Sequence, residues 1–329
     1  MKKKIDSSGL LIAVSMLFIL LLVGCGNVNE KTGSESEQQA ETEQKKEAEE
    51  STVSDVRQIQ HAMGTTEIKG TPKRVVILTN EGTEALLALG VKPVGAVQSW
   101  TGEPWYEHIQ DEMEGVEALG FETEPNLEAI LDLNPDLIIG NKVRHEKIYE
   151  QLNKIAPTVF SEELSGQWKV NFKLYAETLN KTVEGEQKMK EFDDRVAAAK
   201  EELGEKLATK VSIVRFSLKD VRIYQKDTFS GVLLEQLGMA RPASQDVDNF
   251  IETVSEEAME VMDGDIMFYF LTEEAAGEVA SQWLASPVFK SLNVAKNNQV
   301  YEVNETIWNT AGGIKAANLL LDDILERLQ

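Results

Sequence analysis

Along most of this chain, short apolar runs alternate with stretches whose apolar positions recur every three or four residues. Residues 74–79 (RVVILT) read as a buried strand, and residues 82–89 follow as a helix with Gly90 as its stop. Residues 94–97 form another strand, 127–133 a helix closed by Asn134-Pro135, and 136–140 a strand again. The same order returns later: a strand at 211–216, a helix at 231–237 stopped by Gly238, and strands at 265–271 and 300–303. This alternation predicts two α/β lobes with mainly parallel sheets. Between them, Met189, Phe192, Val196, Ala199 and Leu203 make one apolar stripe on the otherwise charged stretch 183–207. A single helix there is roughly 37 Å long at 1.5 Å per residue, a stiff spine rather than a loose hinge.

The pattern also contains an echo. EAILDLNPDLII, from Glu128, and EAMEVMDGDIMF, from Glu257, share one plan: Glu-Ala on a helix, a turn at Asn-Pro or Asp-Gly, then a strand entered after an aspartate. The glutamate-to-aspartate spacing is the same, Glu128 to Asp136 and Glu257 to Asp265. The echo favours two lobes of similar build.

The first residues follow another logic. Lys2, Lys3 and Lys4 precede an apolar run over 10–23, the layout of a secretory signal peptide with a core too short for an ordinary spanning helix. Leu22-Val23-Gly24-Cys25 is similar to the bacterial lipobox, which implies cleavage after residue 24 and a lipid on Cys25. Cys25 is the only cysteine, so disulfides and Cys-ligated metals are excluded. Residues 26–55 hold eight Glu and one Asp against three Lys, with no aromatic, Leu or Ile. Such a stretch buries too little apolar surface to offset its ordering entropy and reads as an extended acidic tether. The expected division is therefore a leader at 1–24, lipidated Cys25 with its tether to residue 55, lobes at 56–182 and 208–329, and the spine at 183–207.

Charge sharpens the picture. The chain carries −23; setting aside a leader of +2 and a tether of −6 leaves −19 on the body. A body this acidic is a poor nucleic-acid binder, and clustered arginines on it become informative.

The body, residues 59–328, resembles the siderophore- and cobalamin-binding proteins of bacterial ABC importers. HAMGTTEIKGTPKRVVIL, EALLALGVKPVGA, NLEAILDLNPDLIIG and YEQLNKIAPTV carry the likeness to the iron-siderophore branch. VRFSLKDVRIYQKDTFSGVLLEQLGMARP is similar, more narrowly, to binders of hydroxamate and citrate-hydroxamate siderophores of the schizokinen type. The resemblance implies a class III substrate-binding fold, two Rossmann-like lobes joined by one spine helix with a shallow cleft between them. It implies a ferric siderophore as ligand, no resident cofactor, and a monomer lipid-anchored on the extracytoplasmic face of a cell membrane, Gram-positive in type. It also implies a permease, with its ATPase, as partner, docked by Glu128 and Glu257.

A ferric siderophore arrives with its iron already coordinated and often with net negative charge. Its receptor needs cations, hydroxyl donors and flat apolar surfaces rather than metal ligands. Ligands of open α/β sheets sit beyond the carboxyl ends of strands. Candidates there are Thr79, Asn80, Trp100 and Arg144 in the first lobe, and Arg215, Arg222, Tyr224, Trp308 and Asn309 in the second. Arg222 and Tyr224, two apart, share one strand face. Arg241 either faces the cleft or caps the preceding helix.

Three other readings fit the sequence less well. Direct zinc binding has only His61, His108 and His145 to draw on, with no His-x-His. An enzyme lacks a Gly-x-Ser-x-Gly elbow, a P-loop or a Gly-x-Gly-x-x-Gly after a strand. Haem or cobalamin fits the same fold, though cleft arginines favour an anionic siderophore.

Overall fold

The computed structural model describes residues 56–328. The leader, Cys25 and the tether lie outside the described residues. Strands β1 (Val56–His61) and β2 (Gly64–Lys69) form an antiparallel hairpin. Strands β3 (Val75–Ile77), β4 (Gly95–Gln98), β5 (Glu117–Phe121), β6 (Glu124–Pro125), β7 (Leu137–Asn141) and β8 (Thr158–Ser161) build a six-stranded sheet in the order β6-β5-β4-β3-β7-β8. Only the β5–β6 pairing is antiparallel. The chain winds outward from β3 in both directions, so the crevice of this sheet opens at the carboxyl ends of β3 and β7.

The second sheet contains β9 (Val211–Phe216), β10 (Val221–Tyr224), β11 (Ile251–Val254), β12 (Ile266–Leu271) and β13 (Val300–Glu302), ordered β11-β10-β9-β12-β13. Here the expectation of mainly parallel pairing needs correction. β9, β12 and β13 run parallel, but β10 is antiparallel to both β9 and β11. The reason is local. Four residues, Ser217 to Asp220, join β9 to β10, whereas a parallel crossover needs a dozen or more. The turn is tied by the Ser217 hydroxyl, which accepts from the Asp220 amide at 3.0 Å.

The helix expected as a spine runs over Thr182–Leu203, 22 residues, about 33 Å at 1.5 Å per residue. It ends four residues before the expected boundary, because Gly204 takes φ +49° and the chain tightens into a 3-10 turn, Gly204–Ala208. The five stripe residues are all buried, together with Gly185. A Cβ on Gly185 would meet that of Ala176 at 2.5 Å, so glycine is what lets the spine lie against the helix Trp168–Thr178. Trp168 stands edge-on to Phe192 at 5.2 Å. Among the described residues, no helix is long and apolar enough to cross a membrane.

The echo has a structural counterpart. Asp136, just before β7, accepts from the amides of Lys73 and Arg74 at 2.8 and 2.9 Å, at the entrance to β3. Asp265, just before β12, accepts from the Lys210 amide at 2.8 Å, at the entrance to β9. Each aspartate ties its strand to the parallel neighbour that precedes it in sequence, which explains its fixed place in the pattern.

Candidate ligand-binding site

A hollow of about 230 Å³ opens between the lobes; Trp100, Glu122, Arg144, Arg215, Tyr224 and Asn309 are among its lining residues. Volume does not single it out, since a hollow of about 560 Å³ lies along Thr101, His108, Asn304 and Leu319. The convergence of charged and aromatic groups from both sheets does.

On the second lobe the β9–β10 hairpin sets the geometry. Its register places Arg215 directly opposite Arg222. Two guanidinium groups so placed repel unless an anion lies between them. Asp220, in the turn, supplies it: Oδ1 accepts from Arg215 at 2.5 Å, and Oδ2 accepts from Arg222 Nε and Nη2 at 3.0 and 2.7 Å. Partial burial works against ionising Asp220, but hydrogen bonds from Arg222, Arg215 and Ser217 outweigh it and hold the carboxyl below its ordinary range. Tyr224, two residues beyond Arg222, is buried under the same face, and burial pushes its phenol up to about 12. Arg215 Nε is buried without a hydrogen-bond partner, a donor free for a ligand.

The first lobe contributes a relay. Asn80 donates from its amide and from Nδ2 to Glu122 Oε2, at 3.0 and 3.1 Å. Glu122 Oε1 accepts from Arg144 Nε at 3.1 Å. His145 is buried; its Nδ1 accepts from the Asn141 amide at 3.1 Å, so its Nε2 donates to the Glu122 carbonyl at 2.7 Å. That burial lowers its pKa and keeps the ring neutral. Trp100 is 38% exposed at the rim and stacks on Phe121 at 6.2 Å.

The structure thus brings Trp100, Arg144, Arg215, Arg222, Tyr224 and Asn309 to one cleft. Other candidates are placed differently. Thr79 is fully buried and caps the helix Asn80–Ala88, its hydroxyl accepting from Gly82 N at 3.1 Å. Asn80 is also buried and acts on the cleft through Glu122. Arg241 neither faces the cleft nor caps a helix. It is buried and donates to the carbonyls of Val211 and Tyr224, both at 2.7 Å, across one end of the β9–β10 pair.

Trp308 needs the plainest correction. It is 0% exposed, packs on Phe268 at 4.7 Å and donates from Nε1 to Asp323 at 2.6 Å. It sits beside Asn309 in the π-helical turn Thr306–Thr310, where neighbouring side chains point in different directions: Asn309 and Thr310 reach the cleft and Trp308 does not. Trp308→Ala is expected to lower the unfolding free energy by about 3–5 kcal/mol. Trp100→Ala should move it by no more than about 0.5 kcal/mol. Urea unfolding of both variants checks the assignment.

Four acids were not anticipated: Glu81, Glu122, Asp220 and Glu305. Glu305 accepts from Asn309 and Thr310 at 2.9 and 2.8 Å, and burial raises its pKa. In so acidic a chain no single carboxylate stands out. Asp220 alone left a signal, as the last residue of a four-residue turn between two arginine-bearing strands.

Glu128 and Glu257 are both exposed, and each is the second residue of its helix, after Asn126 and Ser255 respectively. Among the described residues no group of three His, Cys, Asp or Glu is placed to hold a metal ion.

Comparison with known proteins agrees with this architecture. The sequence profile of the periplasmic binding protein family matches residues 75–306. The chain is 48% identical to the probable siderophore-binding lipoprotein YfiY of Bacillus subtilis, over 94% of this chain and 96% of that one. It is 32% identical to the achromobactin-binding periplasmic protein of Dickeya dadantii, over 77% and 85%. The crystal structure of Staphylococcus aureus SirA complexed with staphyloferrin B superposes with a TM-score of 0.78 at 40% identity, over 83% of this chain and 98% of that chain. The chain therefore belongs to the periplasmic binding protein family, and is a substrate-binding protein rather than an enzyme.

Proposed function

We propose that this protein captures a ferric siderophore outside the cytoplasm and delivers it to the permease of an ABC importer for iron uptake. The cargo class is a complex bearing hydroxamate and carboxylate oxygens, schizokinen being the type case. The observation that carries this reading is the cleft itself, where Arg144, Arg215 and Arg222 converge from two lobes beside Trp100, Tyr224 and Phe250. Guanidinium forks meet carboxylate-like oxygens at two points, and aromatic faces cover the ligand's apolar backbone. The relatives named for siderophores support a ferric siderophore as cargo. No protein ligand to iron is needed, because the siderophore brings its own coordination.

Delivery rests on the two echoing glutamates. Exposed at the start of the α-helix Leu127–Asp132 and of the 3-10 helix Glu256–Met262, Glu128 and Glu257 supply one anion per lobe for cations on the permease, and the acidic body steers the approach. Cys25 carries the lipid that keeps the receptor at the membrane, and the acidic stretch after it gives the receptor reach.

The test is a tryptophan-fluorescence titration of residues 56–329 with ferric schizokinen, ferric citrate, a trihydroxamate, a catecholate complex, haem and cobalamin. Saturable quenching by ferric schizokinen at submicromolar concentration is the expected result. Saturation by haem or cobalamin alone would overturn the cargo class, and silence across the panel would overturn the cleft.

A further inference from the structure

Glu81 lies in the floor of the cleft, and its two carboxyl oxygens are not alike. Oε1 accepts from Asn171 Nδ2 at 2.6 Å and from the Tyr175 hydroxyl at 3.1 Å. Oε2 is buried with no hydrogen-bond partner, and Glu81 lines the same hollow as Arg215, Arg222 and Tyr224. The residue is only 6% exposed. A buried carboxylate oxygen that receives no hydrogen bond is a costly arrangement. The same oxygen carrying a proton is a donor, and the acceptor it lacks is one that a ligand can bring.

The acids near Glu81 favour that proton, and two cations that line the same hollow, Arg215 and Arg222, are engaged by Asp220. Glu84 on its own helix and Glu122 from the segment after β5 are both acidic, and Arg144 is engaged by Glu122. The helix Trp168–Thr178 presents Asn171 and the phenol of Tyr175, whose own ionisation burial suppresses. The Gly312 backbone lies beside the Glu81 side chain without adding a titratable group: a Cβ on Gly312 would lie 3.8 Å from the Glu81 Cβ. Burial, reinforced by the negative charges of Glu122 and Glu84, pushes the Glu81 carboxyl up to about 8, against the hydrogen bonds from Asn171 and Tyr175.

We propose that Glu81 is a ligand-contacting hydrogen-bond donor: a neutral carboxylic acid whose Oε2–H meets an oxygen of the anionic cargo. This rests on the reading of the cleft as a ferric-siderophore site, and adds a donor that the arginines do not supply. It favours a cargo oxygen at this point and disfavours a cargo that presents a donor there. The sign of the pH effect follows. Below about 8 the proton is in place and affinity is level. Above it the free protein loses the proton, the donor disappears, and an anion faces an anionic ligand. Affinity then falls by up to about tenfold per pH unit, or about 30-fold between pH 7 and pH 9.5.

The experiment measures the dissociation constant for ferric schizokinen at both pH values, for the parent protein and for Glu81→Gln, alongside the infrared carbonyl band of a protonated carboxyl in the free proteins. The glutamine keeps an oxygen for Asn171 and Tyr175 and offers a donor that does not titrate. Expected are a carbonyl band at pH 7 that the variant lacks, and a loss of affinity with pH that disappears in the variant. Absence of the band from the parent, or equal pH dependence in both proteins, overturns the proposal. A parent that shows the band but binds no ferric schizokinen at either pH overturns the siderophore reading, and with it the donor's role, while leaving the protonation of Glu81 established.

Discussion

Arg215→Ala lowers affinity for ferric schizokinen by about 100-fold, with the thermal midpoint nearly unchanged. Of the arginine pair Arg215 is the more enclosed, its side chain 15% exposed against 26% for Arg222, so less water competes for its hydrogen bonds. A hydrogen bond to a charged group contributes roughly 1.5–3 kcal/mol, and the middle of that range corresponds to a loss on the order of 50-fold. Removing Arg215 also exposes the cargo to more of the charge on Asp220, which adds to the loss. Arg222 still engages Asp220 in the variant, so the hairpin keeps its anchor. Arg215→Lys should recover only part of the affinity, because an ammonium replaces a planar fork with a point charge. Calorimetric titration decides: an Arg215→Ala protein within threefold of the parent would remove this residue from the site.

Reversing both glutamates, Glu128→Arg with Glu257→Arg, should reduce cellular uptake of radioactive ferric schizokinen to background while the isolated protein binds cargo as before. Like charges set against a complementary surface cost several kcal/mol, and two contacts fail together. Both positions are exposed at helix starts. The helix dipole will favour the new cations less than the glutamates, by roughly 0.3–1 kcal/mol each, which the fold tolerates. Uptake that survives the double reversal would leave these glutamates as ordinary helix-start residues.

The architecture was legible because it rests on periodicity. The run Val211–Phe216 is a strand over its whole expected length, and each of the five stripe residues on the spine is buried. Pairing direction was less legible, because it depends on how few residues separate β9 from β10. In the cleft, the arginines could be found because they are rare in an acidic chain and lie within or just beyond strands. Trp308 could not be separated from Trp100 on the same ground, since both follow strands; one completes the core and the other stands at a rim. Asn80 is expected at the end of the first strand, but β3 stops at Ile77 and Asn80 opens the helix, its amide turned to Glu122; no pattern in one dimension names that partner.

The charge pairs of the cleft have a consequence for its motion. Arg144 is neutralised by Glu122 within the first lobe, and Arg215 and Arg222 by Asp220 within the second. Each pair closes on its own side of the opening. A motion of one lobe against the other would therefore carry each of these pairs along intact. What such a motion has to give up instead is the Lys315–Glu112 ion pair at 2.7 Å, which joins residues of the two lobes.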